Sequence, residues 1–279
     1  MSNLSEQISS SRDSLNNLNS LLSSLTPFVD VKFSSESESK GSKTSDSGEK
    51  SYFVLEDLWE SFKKWSAYGV EVKFNLNSDE PVLQYFVPYL SAIQLYAADE
   101  ELDQKSSEKT GDSVSSKETT HKVLYEYFET HSPYVRLPLT KKVSDLAKED
   151  PCIKNLKSSE ISPRSWFSVA WYPIYRIPNG PTLKDIEASF LTYHKLSTQF
   201  KRKTRPEISD SDKKLLKTRL RVFGLTTYKV KGSILPFPAA SESPRLNSLL
   251  KAADDWLENL KVSHCDHYHF VKTGKQWVD

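Results

Sequence analysis

The chain is poor in the residues that most often betray a chemistry. Cys152 and Cys265 are the only cysteines among 279 residues, too few for the disulfide framework of a small secreted scaffold. The eight glycines (Gly41, Gly48, Gly69, Gly111, Gly180, Gly224, Gly232 and Gly274) are nowhere spaced as a phosphate-cradling loop or a dinucleotide turn requires. Both need glycines within one short turn, so that backbone N–H groups can approach the phosphates. No serine sits in a nucleophile-elbow pattern and there is no HExxH, which weighs against the common hydrolases and zinc peptidases. No apolar run approaches the roughly 20 residues that cross a bilayer. The N-terminus MSNLSEQISSSRDSLNNLNSLLSSL lacks the charged start and continuous apolar core of a secretory signal,. An excess of charge of one sign is missing too. At +1 formal charge, a dominant role in binding nucleic acid is disfavoured, because phosphate affinity comes from clustered positive charge. The expectation is an intracellular protein, nuclear or cytoplasmic, without membrane attachment, cofactor or nucleic-acid partner.

What the chain does have is unevenly spread: 37% of it is apolar and 11% aromatic. Residues 34–50, 99–122 and 200–214 are almost devoid of large apolar side chains or dense in charge. Such stretches cannot bury enough surface to offset their ordering entropy, so they read as disordered linkers. Two units follow: a Ser-rich N-terminal tail over 1–50, and a single domain over 51–279 interrupted at 99–122 and 200–214. Within the tail, Leu15, Leu18, Leu21, Leu22 and Leu25 recur at helical spacing. They predict a weak helix, frayed or else docked on a partner or on the chain's own domain.

From residue 52 the signal strengthens. Leu55, Leu58, Trp59, Phe62 and Trp65 form an apolar stripe that Gly69 is placed to stop,. VEVKFNL alternates as a strand does, and VLQYFVPYLSAIQLY reads as a half-buried strand or as two strands joined at Pro88,. VLYEYFETH reads as a short helix, and VSDLAKEDPCIKNL as a further helical turn. In SWFSVAWYPIYRIPNGPTLKD, Phe167, Val169 and Trp171 alternate with Trp166, Ser168 and Ala170. That pattern fits a strand of an antiparallel sheet, with Pro173 at an edge or bulge and ASFLTYHKLST returning as its partner. RVFGLTTYKVKGSILPF alternates β-branched and aromatic residues on both sides of Gly232 and reads as another strand. Ser243 and Pro244 open the clearest amphipathic helix, with Leu246, Leu249, Leu250, Ala253, Trp256, Leu257 and Leu260 on one stripe,. HYHFV is expected to close the sheet. The predicted class is α+β, a mainly antiparallel sheet packed by amphipathic helices.

Three segments, YFVLEDLWESFKKWSAYGVEV, QYFVPYLSAIQLY and SWFSVAWYPIYRIPNGPTLKDIEASFLTYHKLS, together resemble the plant family known as domain of unknown function 789. VFGLTTYKVKGS and AADDWLENLKVSH are similar to its later blocks. The likeness runs over most of residues 52–270 and implies a plant protein, but brings no activity, cofactor or catalytic residue with it. The ending CDHYHF departs from the family pattern in being richer in histidine.

Candidate sites are few. Trp166, Trp171, Tyr172, Tyr175 and Arg176 are dense enough in aromatic surface to wall a small-ligand pocket, although stripes at strand spacing are more often core. Arg176, Asp185, Glu187, Tyr172 and His194 could supply an acid/base pair if the hairpin brought them together. Cys265, His267 and His269 share one side of an extended chain and carry donors that suit zinc, yet no second Cys/His cluster completes four ligands,. Lys201, Arg202, Lys203, Arg205, Lys213 and Lys214 resemble a two-part nuclear import signal,. They belong to a run from 201 to 221 with nine basic residues against three acidic. The favoured expectation is a non-enzymatic interaction or regulatory protein with a protein partner. An enzyme or ligand binder using the aromatic pocket, and a nuclear protein imported through the basic loop, are the alternatives.

Overall fold

The long period-two segments form one sheet, whose central strands bury both faces. In a computed structural model of the chain, residues 16–33, 51–75, 81–98, 122–177, 188–197, 216–228 and 242–275 are described. Three short strands lie near the start: β1 (Phe28–Asp30), β2 (Lys32–Phe33) and β3 (Ser51–Tyr52). The main sheet holds β4 (Val70–Phe74), β5 (Val82–Tyr96), β6 (Val123–Phe128), β7 (Trp166–Ile177), β8 (Ser189–Lys195) and β10 (Val222–Tyr228). Its order is β10-β8-β7-β5-β4, with β6 also on β5, and every pairing is antiparallel. The strand β9 (Lys217–Arg219) pairs with β1, and β2 pairs with β3.

The 15-residue β5 is one strand, not two. Pro88 is tolerated because β4 pairs only as far as Phe86 and β6 only from Ala92, so at Pro88 β7 alone flanks the strand,. Pro173 falls at a bulge, as the missing N–H requires: Tyr85 faces Tyr175, while Phe86 faces Pro173,.

Helices cover both faces. On one lie α1 (Asn17–Ser24), α2 (Leu55–Ser61), α3 (Lys63–Tyr68), α4 (Leu139–Glu149) and α5 (Cys152–Asn155). Their Leu18, Leu58, Phe62, Val143 and Ile153 join Phe86, Phe167, Val169, Trp171 and Phe190 in the larger core. On the other lie α6 (Ser243–Leu260) and α7 (Cys265–Lys275), where Ala253, Leu257 and Phe270 meet Ala92, Trp166, Ala170, Leu191 and Tyr193. Each fully buried aromatic or leucine side chain contributes about 1.5–3 kcal/mol of transfer free energy.

Several expectations change. Residues 16–33, read with the tail, belong to this core: Leu18, Leu21 and Leu25 are fully buried. The Asn17 side chain clasps both backbone groups of Asn75, at 3.0 and 2.8 Å. Residues 123–128 form a strand where a helix was expected, since Tyr125 and Tyr127 pair with Leu95 and Ile93. HYHFV lies in a helix, not a sheet-closing strand. Gly69 does end α3 at φ 77°, where a Cβ would meet the Phe86 carbonyl at 3.1 Å,. The linkers read at 34–50 and 200–214, and residues 99–121, lie outside the described residues.

Candidate functional site

The interior carries hydroxyl, imidazole and carboxylate groups in pairs that invite a catalytic reading, so their wiring decides the question. Ser168 Oγ lies 2.8 Å from His264 Nε2, both side chains buried. His264 precedes α7, and its Nδ1 accepts the His267 N–H at 3.2 Å, capping the helix,. That bond leaves the ring proton on Nε2, so the imidazole donates to the serine. A general base needs the opposite arrangement. Burial pushes the His264 pKa down to about 3, which keeps the ring neutral,.

His194 is wired with the same economy. The Trp171 Nε1–H donates to Thr192 Oγ1 at 2.9 Å, the threonine hydroxyl donates to His194 Nε2 at 2.9 Å, and His194 Nδ1–H donates to the Leu220 carbonyl at 2.7 Å. Desolvation, partly offset by the Leu220 bond, lowers its pKa to about 4. His267 has its Nδ1 3.0 Å from the hydroxyls of both Tyr193 and Thr226, and its Nε2 3.1 Å from Asp254. Asp266 takes a bidentate pair from Arg136 at 2.7 and 2.6 Å and a bond from Ser91 Oγ at 2.5 Å. Burial pushes the Glu129 carboxyl up, but N–H bonds from the His131 backbone, the Tyr127 hydroxyl and nearby Lys142 outweigh it and hold the pKa at about 2. These groups tie α7, residues 129–136 and Leu220 to the rest of the fold, and the buried members among them are hydrogen-bonded within the protein,.

The pocket candidates do not converge. Trp166 and Trp171 are both fully buried, on opposite faces of β7. Trp171 lies 6.3 Å from Phe62 and 6.0 Å from Trp65, while Trp166 stacks on Tyr193 at 5.8 Å. Tyr172 packs edge-on to Tyr89, and Tyr175, about half exposed, stacks on Tyr85 at 4.3 Å. Arg176 pairs in register with Gln84 near the far end of β7, whereas His194 faces Phe167 near its start. Nine residues of strand, roughly 30 Å, separate Arg176 from His194, so these two are not brought together. Asp185 and Glu187 lie outside the described residues, as do the six import-signal candidates.

The metal candidates part company because α7 is a helix. At about 100° per residue, His267 sits on the opposite side from Cys265 and His269, and it is held against the sheet. Among the described residues no group of three His, Cys, Asp or Glu side chains is placed to hold a metal ion.

An open groove of about 500 Å³ is bounded by α1, the β9–β10 connection and the start of α6. Asn19, Ser20, Ser23 and Thr26 line one wall, and Arg219, Arg221 and Arg245 the other. The hydroxyls spend their protons on backbone carbonyls: Ser20 on Lys73, Ser23 on Ser20 and Thr26 on Leu22. The hydroxyl protons are thus turned away from the groove, and the guanidinium groups supply its positive charge. Arg219 is steadied by the Phe28 ring, 4.6 Å from its guanidinium carbon, and Arg245 by a bond to the Asn19 side chain,. Among the described residues no carboxylate lies within ion-pair distance of any of the three. Arg219 and Arg221 were visible as part of the basic run, but nothing in the sequence brought Arg245 or Asn19 to them.

Among the described residues no helix is long and apolar enough to cross a membrane. No curated protein and no solved structure matches the chain. A family model, described as "Protein of unknown function (DUF789)", matches residues 16–118 and 97–270, so the first matched residue is the N-cap of α1 and the last is buried Phe270 of α7. The match takes in every described strand and helix as far as Phe270, and the chain belongs to the DUF789 family.

Proposed function

We propose that this protein is a non-enzymatic interaction protein that holds an anionic segment of a partner protein in the groove between α1, β9–β10 and α6. One observation carries the reading: three arginines converge on an open groove with no carboxylate partner among the described residues. Guanidinium forks match planar and tetrahedral oxyanions bidentately, and three together raise the local anion concentration even on a chain of +1 formal charge,. The wiring of the buried Ser168–His264 pair, whose ring proton is held on the serine side, supports a binding role over turnover. In this reading the protein acts inside a plant cell, in the cytoplasm or the nucleus, with residues 201–214 as its import signal.

The test is a titration of the full chain with a fluorescein-labelled Glu-rich peptide, followed by anisotropy. Binding that weakens with added salt, and falls at least about tenfold when Arg219, Arg221 and Arg245 are all replaced by Gln, is the expected result. Equal binding by the triple variant would sink the proposal.

A further inference from the structure

Resting on that reading, we infer that the anionic group the groove selects is a phosphate monoester, presented as a phosphorylated serine or threonine of the partner. The first argument is charge. A single guanidinium fork satisfies one carboxylate, whereas the groove offers three forks to one ligand,. A phosphoserine carries about −1.5 to −2 charge and three strong acceptor oxygens near neutral pH, so it can accept from all three at once. The second is the donor inventory. Because Ser20, Ser23 and Thr26 give their protons to backbone carbonyls, their hydroxyls offer a ligand lone pairs only, and the arginines are the cationic donors of the groove. A phosphate therefore faces the arginines, and the hydroxyl lone pairs are left to accept N–H groups of the peptide that carries it.

The rest of the ligand is read from what surrounds the arginines. None of the lining residues is aromatic, so a nucleobase finds no stacking surface, which disfavours a nucleotide or single-stranded nucleic acid. The apolar members, Leu22 and Val222, are small footholds suited to a side chain beside the phosphate. The adjoining β10 is the last strand of the sheet, with no neighbour on its outer edge among the described residues. An extended peptide can continue from the groove along that edge through main-chain bonds. A lipid headgroup would instead need the positive charge spread over a flat face, and Asp30 and Asp255 neutralise Lys217 and Lys251 on the flanking elements.

The experiment uses the full chain and two labelled pools of short degenerate peptides, identical except that one carries a fixed central phosphoserine. The phosphorylated pool is expected to bind at least about tenfold more tightly, a difference of about 1.4 kcal/mol. The contrast should vanish in the Arg219→Gln/Arg245→Gln variant and persist in Lys251→Gln, whose side chain lies on α6 and is not among the groove's lining residues. All three side chains are exposed, so the variants should fold, and circular dichroism checks that they do. Arginine-dependent binding that is equal for both pools overturns the phosphate assignment and leaves the acidic-segment reading standing. Binding that ignores the arginines overturns both. Inorganic phosphate displacing the peptide at the peptide's own affinity, or preferential binding to phosphatidylcholine vesicles doped with a phosphatidylinositol phosphate, overturns the peptide as the source.

Discussion

Lowering the pH from about 7.5 to about 5 is expected to remove about 4 kcal/mol of folding stability, through two histidines that the fold keeps neutral. His194 is fully buried and His264 only 3% exposed. Desolvation holds their folded pKa values at about 4 and about 3, against an ordinary 6.5,. With the folded value below the unfolded one, the unfolded chain binds more protons as pH falls past about 6.5, so acid favours unfolding. The penalty begins near the unfolded pKa, grows with each further fall in pH, and levels off only below the folded values. At pH 5 each ring lies about 1.5 units below its unfolded pKa, and at about 1.36 kcal/mol per unit each costs about 2 kcal/mol. His267, lowered chiefly by burial, acts in the same direction. Glu129, held at about 2, contributes stability that is lost only as pH falls through and below its ordinary value of 4.5, so it is silent in this window. Urea unfolding midpoints at the two pH values measure the difference. Replacing His194 by Gln and His264 by Asn, which can still cap α7, should flatten the dependence by most of that amount. A wild-type midpoint that does not move between the two pH values would refute the assignment of both rings as buried and neutral.

Arg136→Ala strands the buried Asp266 carboxylate, 7% exposed at its side chain, and should cost about 3–5 kcal/mol; removing both partners as Arg136→Met/Asp266→Asn should recover much of that loss, read by thermal melting. Gly224→Ala places a Cβ 3.1 Å from three atoms of Ala253, so α6 must retreat from β10, at a cost of about 1–3 kcal/mol visible as a lower Tm. Gly69→Ala combines left-handed φ with a 3.0 Å approach to Ile174 and should cost about 1–3 kcal/mol, measured in the same way. Replacing Lys201, Arg202 and Lys203 by Ala should shift a tagged protein out of the nucleus; an unchanged distribution removes the import signal from the reading.

The sequence showed most clearly those elements whose burial repeats with a regular period. The alternation through Trp166–Trp171 is that of a central strand with both faces covered, and the stripe from Leu246 to Leu260 is that of α6 packed on β10. Residues 123–128 misled because Leu124, Tyr125, Tyr127 and Phe128 fit helical spacing as readily as a short strand. The enrichment in aromatic and branched residues was the better guide there. In α7 the alternating His-Tyr-His suggested a strand, yet the residues that reach the sheet are Asp266, His267 and Phe270, at the i, i+1, i+4 spacing of a helix,. Helix formation there also rests on His264, whose capping role is legible only once its ring is seen turned back onto the His267 N–H.

The groove was hidden for a different reason: no local pattern specifies it. Its lining comes from residues 19–26, 219–222 and 245, and these segments are fixed by long-range bonds from buried side chains. Glu242, at the N-terminus of α6, accepts the Leu18 N–H and so sets α1 against α6. Asn17 ties α1 to the end of β4. His194 donates to the carbonyl of Leu220, the residue between Arg219 and Arg221, while the Leu220 N–H donates to Pro27. The spacing of two of the three arginines therefore depends on a neutral imidazole 26 residues away in sequence. Single-sequence periodicity cannot report such couplings, because Glu242, Asn17 and His194 look like ordinary polar residues until the sheet assembles. The same assembly explains why a groove that carries the positive charge can be built on a nearly neutral chain: the arginines are gathered by the fold, and carboxylates on the neighbouring elements are committed elsewhere, Asp30 to Lys217 and Glu242 to Leu18.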